Sequence, residues 1–506
     1  MATRVSNFAL QTNSLQNIFR ITEELFKTQQ QIASGKRLTR PSDDPAGIRD
    51  ALSLRTSIAQ SNQFVRNIDN NRIYFQAGES SLGSVNNNLI RAKEIAVQEL
   101  GALSTVETRK YAVSEINQLI SQTMDSANIK VKNQFIFAGT AFRTQPFEQG
   151  ASGAVYLGNS DRFEITVASN TNAEFALPGS ETFGNDLNPK LTNSTSLASL
   201  NDGLGITTGS ISITDRAGTS GTVTVTSTDT VADLISKINS LSGNVTASIN
   251  ENRSGLQLTD GSKVISQALT VAEVSGGKTA QMLGILGQRD GNISGSNLNP
   301  IVTSSTLISD LKDGNGLTLN QISISNGAAS GTVTLSSAET IGDVINLINA
   351  SSLNVTASIN SVGNSLLVNS KNSTTVAIVK NIDTDETAEA LGLGGGKNVF
   401  TTLYKLRDAL KNNDSLAIQA SLENLGSTQI SINNNRAIVG AKLSGVESKV
   451  DFHDKNKLNI LAQLSNIEDV DAIQSISDLA NLEFALQATL SATAKVLQPT
   501  LMDFLR

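Results

Sequence analysis

The chain has 506 residues, 39 Lys and Arg against 46 Asp and Glu, and a formal net charge of −7, which excludes nucleic-acid binding through a broad basic face. With no cysteine and a single histidine, His453, it also excludes disulfides, thiolate metal sites and paired-histidine metal motifs. No run of 18 apolar residues is present, so no transmembrane helix is expected, and MATRVSNFALQTNSLQ lacks the apolar core of a secretory signal. Any export is therefore expected to use a route without a cleaved signal.

In chain order, residues 14–34 read as a first helix, with Leu15, Ile18, Leu25 and Ile32 on one stripe and Ile21 and Phe26 beside it. Gly35 is the expected stop, since glycine accepts the left-handed conformation there. After a connector, Asp44-Pro45 signals a new start: Asp caps free amides and Pro fits the first turn. The helix that follows is expected to reach about Leu100. A seven-residue step runs along it through Leu54, Ile68, Phe75, Leu82, Leu89 and Ala96, broken at Ser61. Gly78 and Gly83 lie inside it, each costing about 1 kcal/mol against alanine, and allow a local kink. A third helix fits 106–130.

Period-two patterning then begins near Gln134, and residues 134–190 read as a small β unit with a hairpin turning at Gly158-Asn159. An internal duplication follows. LNDGLGI (200–206) recurs as LKDGNGL (311–317), GTVTVTSTDTVADLISKIN (221–239) as GTVTLSSAETIGDVINLIN (331–349), and NVTASIN occurs at 244–250 and 354–360. Each copy reads as strands, one short helix and more strands. The helix starts carry capping pairs, Thr230 with Asp233 and Thr340 with Asp343.

Helical patterning resumes after Lys397. A short helix fits 400–412. A long one is expected from Ser415 to about Ile467, on a seam of Ile418, Leu422, Leu425, Ile432, Val439, Leu443, Val446, Val450, Ile460, Leu464 and Ile467, interrupted at Gln429, Arg436, His453 and Lys457. EDVD (468–471) breaks it, and a last amphipathic helix carries Leu479, Leu482, Leu486, Leu490, Val496 and Leu497 before Pro499 and LMDFLR. At about 1.5 Å per residue the two long helices would each span roughly 80 Å, and they are expected to pair. The fold class is α+β: long N- and C-terminal helices in a coiled-coil-like bundle, with β-rich and α+β domains inserted in the middle. The expected divisions are 1–42 with 468–506, 43–133 with 400–467, 134–190, 191–299 and 300–399.

IASGKRLTRPSDDPAGIRDALSLR (32–55) resembles the N-terminal signature of bacterial flagellins, and NLIRAKEIAVQEL (88–100) resembles the segment that follows it in that superfamily. NQFIFAGTAFRTQPF (133–147), ALPGSETF (176–183) and the closing region from NNRAIVGAKL (434) resemble the hook–filament junction branch, the hook-associated protein 3 type, and the duplicated segments resemble the flagellin hook IN motif. The resemblance implies a structural axial protein of the flagellum. It would be extracellular, exported by the flagellar type III apparatus, and would join the first hook-associated protein to the flagellin filament by self-assembling into a ring. It also implies terminal segments that are disordered as monomers and helical in the inner tube, and an export chaperone at the C-terminal helix. No cofactor, nucleic acid or membrane is implied. Candidate subunit-interface residues are Leu15, Ile18, Leu25, Ile32, Lys36, Arg37, Leu479, Leu482, Leu486, Leu490 and Val496. A filament subunit, and an adhesin acting through the duplicated insertion, are the alternative functions.

No enzyme constellation stands out. Asp43-Asp44 reads as a helix cap rather than an acid–base pair. LGLGGGK (391–397) lacks the Walker spacing and reads as a link, and one histidine rules out a zinc-protease insertion. His453 reads as a packing histidine, with pH sensing as the alternative. The basic cluster Lys36, Arg37 and Arg40 reads as a solvated turn, with contact to an acidic patch on a neighbouring subunit as its functional alternative.

Overall fold

The computed structural model describes residues 7–150, 153–162, 164–174, 177–184, 187 and 189–496. The chain is α+β. Long helices make up both ends of the sequence and small antiparallel sheets its middle, and the described residues divide into two compact units, one within 1–70, 165–173 and 444–506, the other within 71–164 and 174–443.

In the first unit, α1 (Asn7–Ser34) ends where Gly35 takes φ 68°. Helix α2 (Pro45–Glu99) starts on Asp44, whose Oδ1 accepts the Gly47 N–H at 2.9 Å. The C-terminal part of α7 (Ser415–Glu468) runs antiparallel to α2, with Arg55 on Glu468 at 2.8 Å and Lys457 on Asn62 at 2.9 Å. Asp471 caps α8 (Ala472–Val496), its Oδ1 accepting the Gln474 N–H at 3.0 Å, so the acidic break acts as expected. Leu497, Pro499 and LMDFLR lie outside the described residues.

In the second unit the same two helices pair again. Arg436 grips Glu79 at 2.6 Å, and Gly426 faces Lys93. Along α2 through both units, Leu54 is half-buried, Ile68, Phe75, Leu82, Leu89 and Ala96 are all buried, and Ser61, the exception in the repeat, is buried too. The same holds on α7 for Ile418, Leu425, Ile432, Val439, Val446 and Ile460. Helix α2 is continuous through Gly78 and Gly83. A Cβ on Gly78 would stand 3.1 Å from Leu177, so that glycine makes room for a neighbour, whereas one on Gly83 would meet the Arg436 guanidinium at an ordinary 3.6 Å. Helix α3 (Val106–Ala127) stops three residues earlier than expected, and Arg91–Glu115 at 2.6 Å ties it to α2.

Strands β1 (Lys130–Val131) and β2 (Gln134–Phe135) pair, and β3 (Phe147–Gly150) pairs with β4 (Gly153–Tyr156). The hairpin expected at Gly158-Asn159 does not form. Asn159 is instead a clamp: its Oδ1 accepts the Thr140 N–H at 2.8 Å, and its N–H donates to the Ala138 carbonyl at 3.2 Å. β5 (Glu164–Ala168) pairs with β6 (Thr171–Glu174), turning at Asn170 with φ 59°. The left-handed turn that asparagine tolerates lies downstream of the glycine that suggested it.

The duplication forms two cores. The first copy sets β7 (Gly209–Thr214), β8 (Ser220–Val225), β11 (Leu269–Glu273) and β12 (Gly287–Arg289) in the order 12-11-7-8, and β9 (Val245–Ile249), β10 (Leu256–Asp260) and β13 (Ile293–Ser294) in a second sheet. The second copy pairs β14 (Gln321–Asn326) with β15 (Ala329–Thr334) and β18 (Ala377–Lys380), and β16 (Val355–Ile359) with β17 (Leu366–Ser370). Helices α4 (Val231–Asn239) and α5 (Ile341–Asn349) each begin on the expected two-way capping box and bury Val231, Leu234 and Ile238, or Ile341, Val344 and Ile348. After β18 the chain enters α6 (Val399–Lys411), packed on α3.

The copies are not beads on a string. Leu187 precedes the first copy, yet it sits fully buried in the core of the second. Its N–H donates to Asn364 O at 2.9 Å and its carbonyl accepts from Lys312 N–H at 3.0 Å. The matching residue Leu298 closes the first core, donating to Ser254 O at 2.9 Å and accepting from Asn201 N–H at 2.6 Å.

Candidate assembly surface

The connector after Gly35 is stitched to the end of α7 by backbone. The Arg37 and Leu38 N–H groups reach Glu468 O at 2.6 and 3.4 Å, and Val470 N–H donates to Gly35 O at 3.1 Å. This junction sets the end of α1 against the start of α8, so the two helices run antiparallel along each other. The Glu468 carboxylate, 3% exposed, receives Lys36 Nζ at 2.6 Å and Arg55 Nη2 at 2.8 Å, and Arg37 Nη2 donates to Ile467 O at 2.8 Å. The acidic partner anticipated on a neighbour is thus present inside the chain for Lys36. Neither Glu468 nor Arg55 was singled out from sequence, because an acid at a helix break reads first as a cap.

Burial alone would raise the Glu468 carboxyl, but the bonds from Lys36 and Arg55 outweigh it and hold the group below its usual 4.5. A carboxyl depressed on folding stabilises above its unfolded pKa, and that contribution fades as pH falls through the folded value. Glu468→Gln is expected to cost about 1.5–3 kcal/mol at pH 7, the range for hydrogen bonds to charged groups. The loss should begin to shrink as pH falls below the usual value of 4.5 and should vanish only once pH has fallen through the lower folded value. Amide exchange at residues 36–40, measured at pH 7 and pH 4, checks this; equal protection in both proteins at pH 7 would contradict it.

Each terminal helix carries two apolar stripes. At 100° per residue, Ile18, Ile21, Leu25 and Ile32 of α1 form one stripe, with Ile21 buried and the others half-buried. Leu15, Phe19 and Phe26 form another, at 51%, 71% and 65% exposure. Leu15 therefore belongs to the outward stripe, not with Ile18. On α8, Leu479, Leu482 and Leu486 are half-buried, with Leu490 exposed at the edge of their stripe, whereas Ile473 and Phe484 lie on the opposite face, exposed. The Val496 backbone closes α8, but its side chain lies outside the described residues. Phe19, Ile473 and Phe484 were missed from sequence, although the 15, 19, 26 spacing carries the α1 signal.

Other singled-out groups prove structural. Asp43 accepts the Arg40 N–H at 2.9 Å and meets Lys27 at 3.2 Å, which together bring its carboxyl down to about 2. The glycine loop 391–397 closes on a carboxylate of its own chain: Glu389 lies against Gly396 and accepts the Lys397 N–H at 3.2 Å. His453 is buried beside Phe64, ring centroids 5.3 Å apart, with Nε2 2.8 Å from the Val167 carbonyl. A carbonyl only accepts, so Nε2 carries the proton. Among the described residues, no cluster of three or more His, Cys, Asp or Glu could hold a metal, and no helix is long and apolar enough to cross a membrane.

Terminal helices folded on one another, with solvent-facing apolar stripes and a sheet-built middle, define a flagellin-type architecture. The profile of the bacterial flagellin N-terminal helical region matches residues 5–141, the flagellin hook IN motif matches 207–262 and 317–372, and the bacterial flagellin C-terminal helical region matches 422–505. The chain belongs to the bacterial flagellin superfamily. It is 28% identical to flagellar hook-associated protein 3 of Salmonella typhimurium over 153 residues, 30% of this chain and 48% of that protein. To a flagellin of Clostridium tyrobutyricum it is 26% identical over 34% of this chain and 43% of the other. The crystal structure of flagellar hook-associated protein 3 from Legionella pneumophila aligns with TM-score 0.36 and 16% identity, covering 82% of this chain and 98% of that one. The chain spans about half the length, or less, of these curated relatives.

Proposed function

We propose that the chain is a non-enzymatic axial subunit of the bacterial flagellum that joins hook to filament. The observation that carries the reading is the pair of outward stripes, Leu15-Phe19-Phe26 and Ile473-Phe484, on helices matching the flagellin N- and C-terminal regions. A solvent-facing apolar stripe on a helix calls for a partner, and copies of the same chain present the same stripes. Contacts that repeat around an axis would close into a ring. The remaining interface candidates, Ile18, Leu25, Ile32, Leu479, Leu482 and Leu486, then hold α1 to α8, with Leu490 at their edge. The similarity to hook-associated protein 3 supports the first hook-associated protein on one side of the ring and flagellin on the other. An export chaperone on α8 before assembly, and an extracellular position on the flagellum, belong to the same reading.

Deleting the gene and imaging the cells tests it. Hooks should remain, filaments should be lost, and flagellin should appear in the medium. Intact filaments would reject the junction role. The similarity to the Clostridium flagellin supports a second reading, a filament subunit. In that case deletion removes filaments without shedding another flagellin, and the chain counts in thousands of copies per flagellum rather than a few.

A further inference from the structure

A cleft of about 350 Å³ opens in the second unit where four stretches of chain meet. Its volume is within the range of small-molecule sites, about 300–1,000 Å³. The turn after β4 contributes Asn159 and Asp161, the linker before the first copy Lys190, the first copy Asp202 and Arg253, and the second copy Asn364. Asn297, Asn299, Pro300 and Ile301 close one side. The walls are held in place by bonds already made: Asn364 Nδ2 to Tyr156 O at 3.1 Å, Tyr156 Oη to Asn159 O at 2.8 Å, and Arg253 Nη2 to Asp310 Oδ1 at 3.0 Å. Three lining residues, Asp202, Arg253 and Asn299, are non-glycine with φ of 58°, 53° and 38°. Backbone in this region is sparsely populated and gathers at ligand clamps.

The chemistry of the lining points to one kind of ligand. Carboxylates (Asp161, Asp202) and cations (Lys190, Arg253) are both present, and Arg253 is spent on Asp310, so the two carboxylates outnumber Lys190 and the cleft disfavours a phosphate. Its lining combines the Asp202 carboxylate with the side-chain amides of Asn297 and Asn299, the acceptor and donor types that grip vicinal hydroxyls, and with the apolar Pro300 and Ile301.

We propose that this cleft binds a neutral saccharide, with Asp202 and Asn297 taking ring hydroxyls and Ile301 packing on the ring face. The site is independent of assembly through the terminal helices. The test is saturation-transfer NMR on the full chain with glucose, galactose, mannose, N-acetylglucosamine and N-acetylgalactosamine as probes, and glucose 6-phosphate as the charged comparison. At least one neutral sugar should receive transfer. Asp202→Asn, which keeps a residue type tolerant of φ near +58°, should weaken that sugar at least tenfold, and Val362→Trp, filling the cleft, should abolish its transfer. Circular dichroism identifies any variant that has unfolded, and the other then decides. No transfer to any neutral sugar from folded wild-type protein overturns the proposal. So does transfer unchanged in both folded variants, or a phosphorylated sugar that binds at least tenfold more tightly than its neutral parent.

Discussion

Leu187→Ala is expected to destabilise the second sequence copy by about 2–5 kcal/mol, the range for truncating a buried leucine, while leaving the first copy unchanged. The side chain is fully buried in one core with Ile322, Val344, Ile348 and Leu366, all far downstream in the second copy. Truncation leaves a cavity that rigid strands β14 and β16 cannot collapse to fill. Both backbone bonds of Leu187 survive the change, so the loss reports packing alone. Hydrogen exchange resolves it: amides in 321–370 should exchange faster and those in 209–273 should not. Equal acceleration in both copies would mean that they unfold as one body, and acceleration confined to the first would contradict the crossed packing.

Why this contact escaped the sequence is instructive. Periodicity reports which face of an element is apolar, and it located five buried heptad positions of α2, with Ser61 buried among them and Leu54 half-buried, and six buried positions of α7, whose Leu422, Leu443, Val450, Leu464 and Ile467 are half-buried. Capping chemistry is local, so the boxes at Thr230 and Thr340 were legible residue by residue. Duplication was legible because identity needs no folding rule. None of these signals says which core an isolated leucine joins when it belongs to no periodic segment. For the same reason the copies read as consecutive domains, although each linker crosses between them. The Gly158-Asn159 hairpin failed for a related reason. Two strand-like runs around a turn-prone pair are a local argument, and the strand partners β3 and β6 lay outside the window.

The candidate surface was only half legible. The sequence showed that α1 is amphipathic, and a single wide stripe was the natural reading of Leu15, Ile18, Ile21, Leu25, Phe26 and Ile32. The division of that stripe follows from α8, which is antiparallel and narrow enough to cover only the face centred near Ile21 and Leu25. The interruptions of the α7 seam were visible, but not their meaning. Arg436 and Lys457 turn out to be polar ties to Glu79 and Asn62, which set the register of α7 on α2 in each unit.

The combined change Phe19→Asp and Phe484→Asp should abolish assembly while leaving the folded subunit intact. At 71% and 75% exposure these rings contribute little to the isolated chain, and each change should move its stability by no more than about 0.5 kcal/mol. Burying a phenylalanine against a neighbour gains about 1.5–3 kcal/mol. Losing two per contact removes roughly 3–6 kcal/mol, a factor of about 10² to 10⁴ in association. Replacement by carboxylates adds the cost of desolvating a charge at each contact. Cells carrying the double variant in place of the wild type should therefore export the protein and shed it to the medium, with bare hooks under the microscope. The matched control, Phe19→Leu with Phe484→Leu, keeps apolar area and should restore filaments. If the aspartate variant assembles as well as the wild type, the outward stripes are not the subunit contact, and the structural reading of both helices has to be given up. If instead its melting temperature drops by more than a few degrees, the rings support the fold itself, and the exposed stripe on α1 and α8 is not the source of assembly.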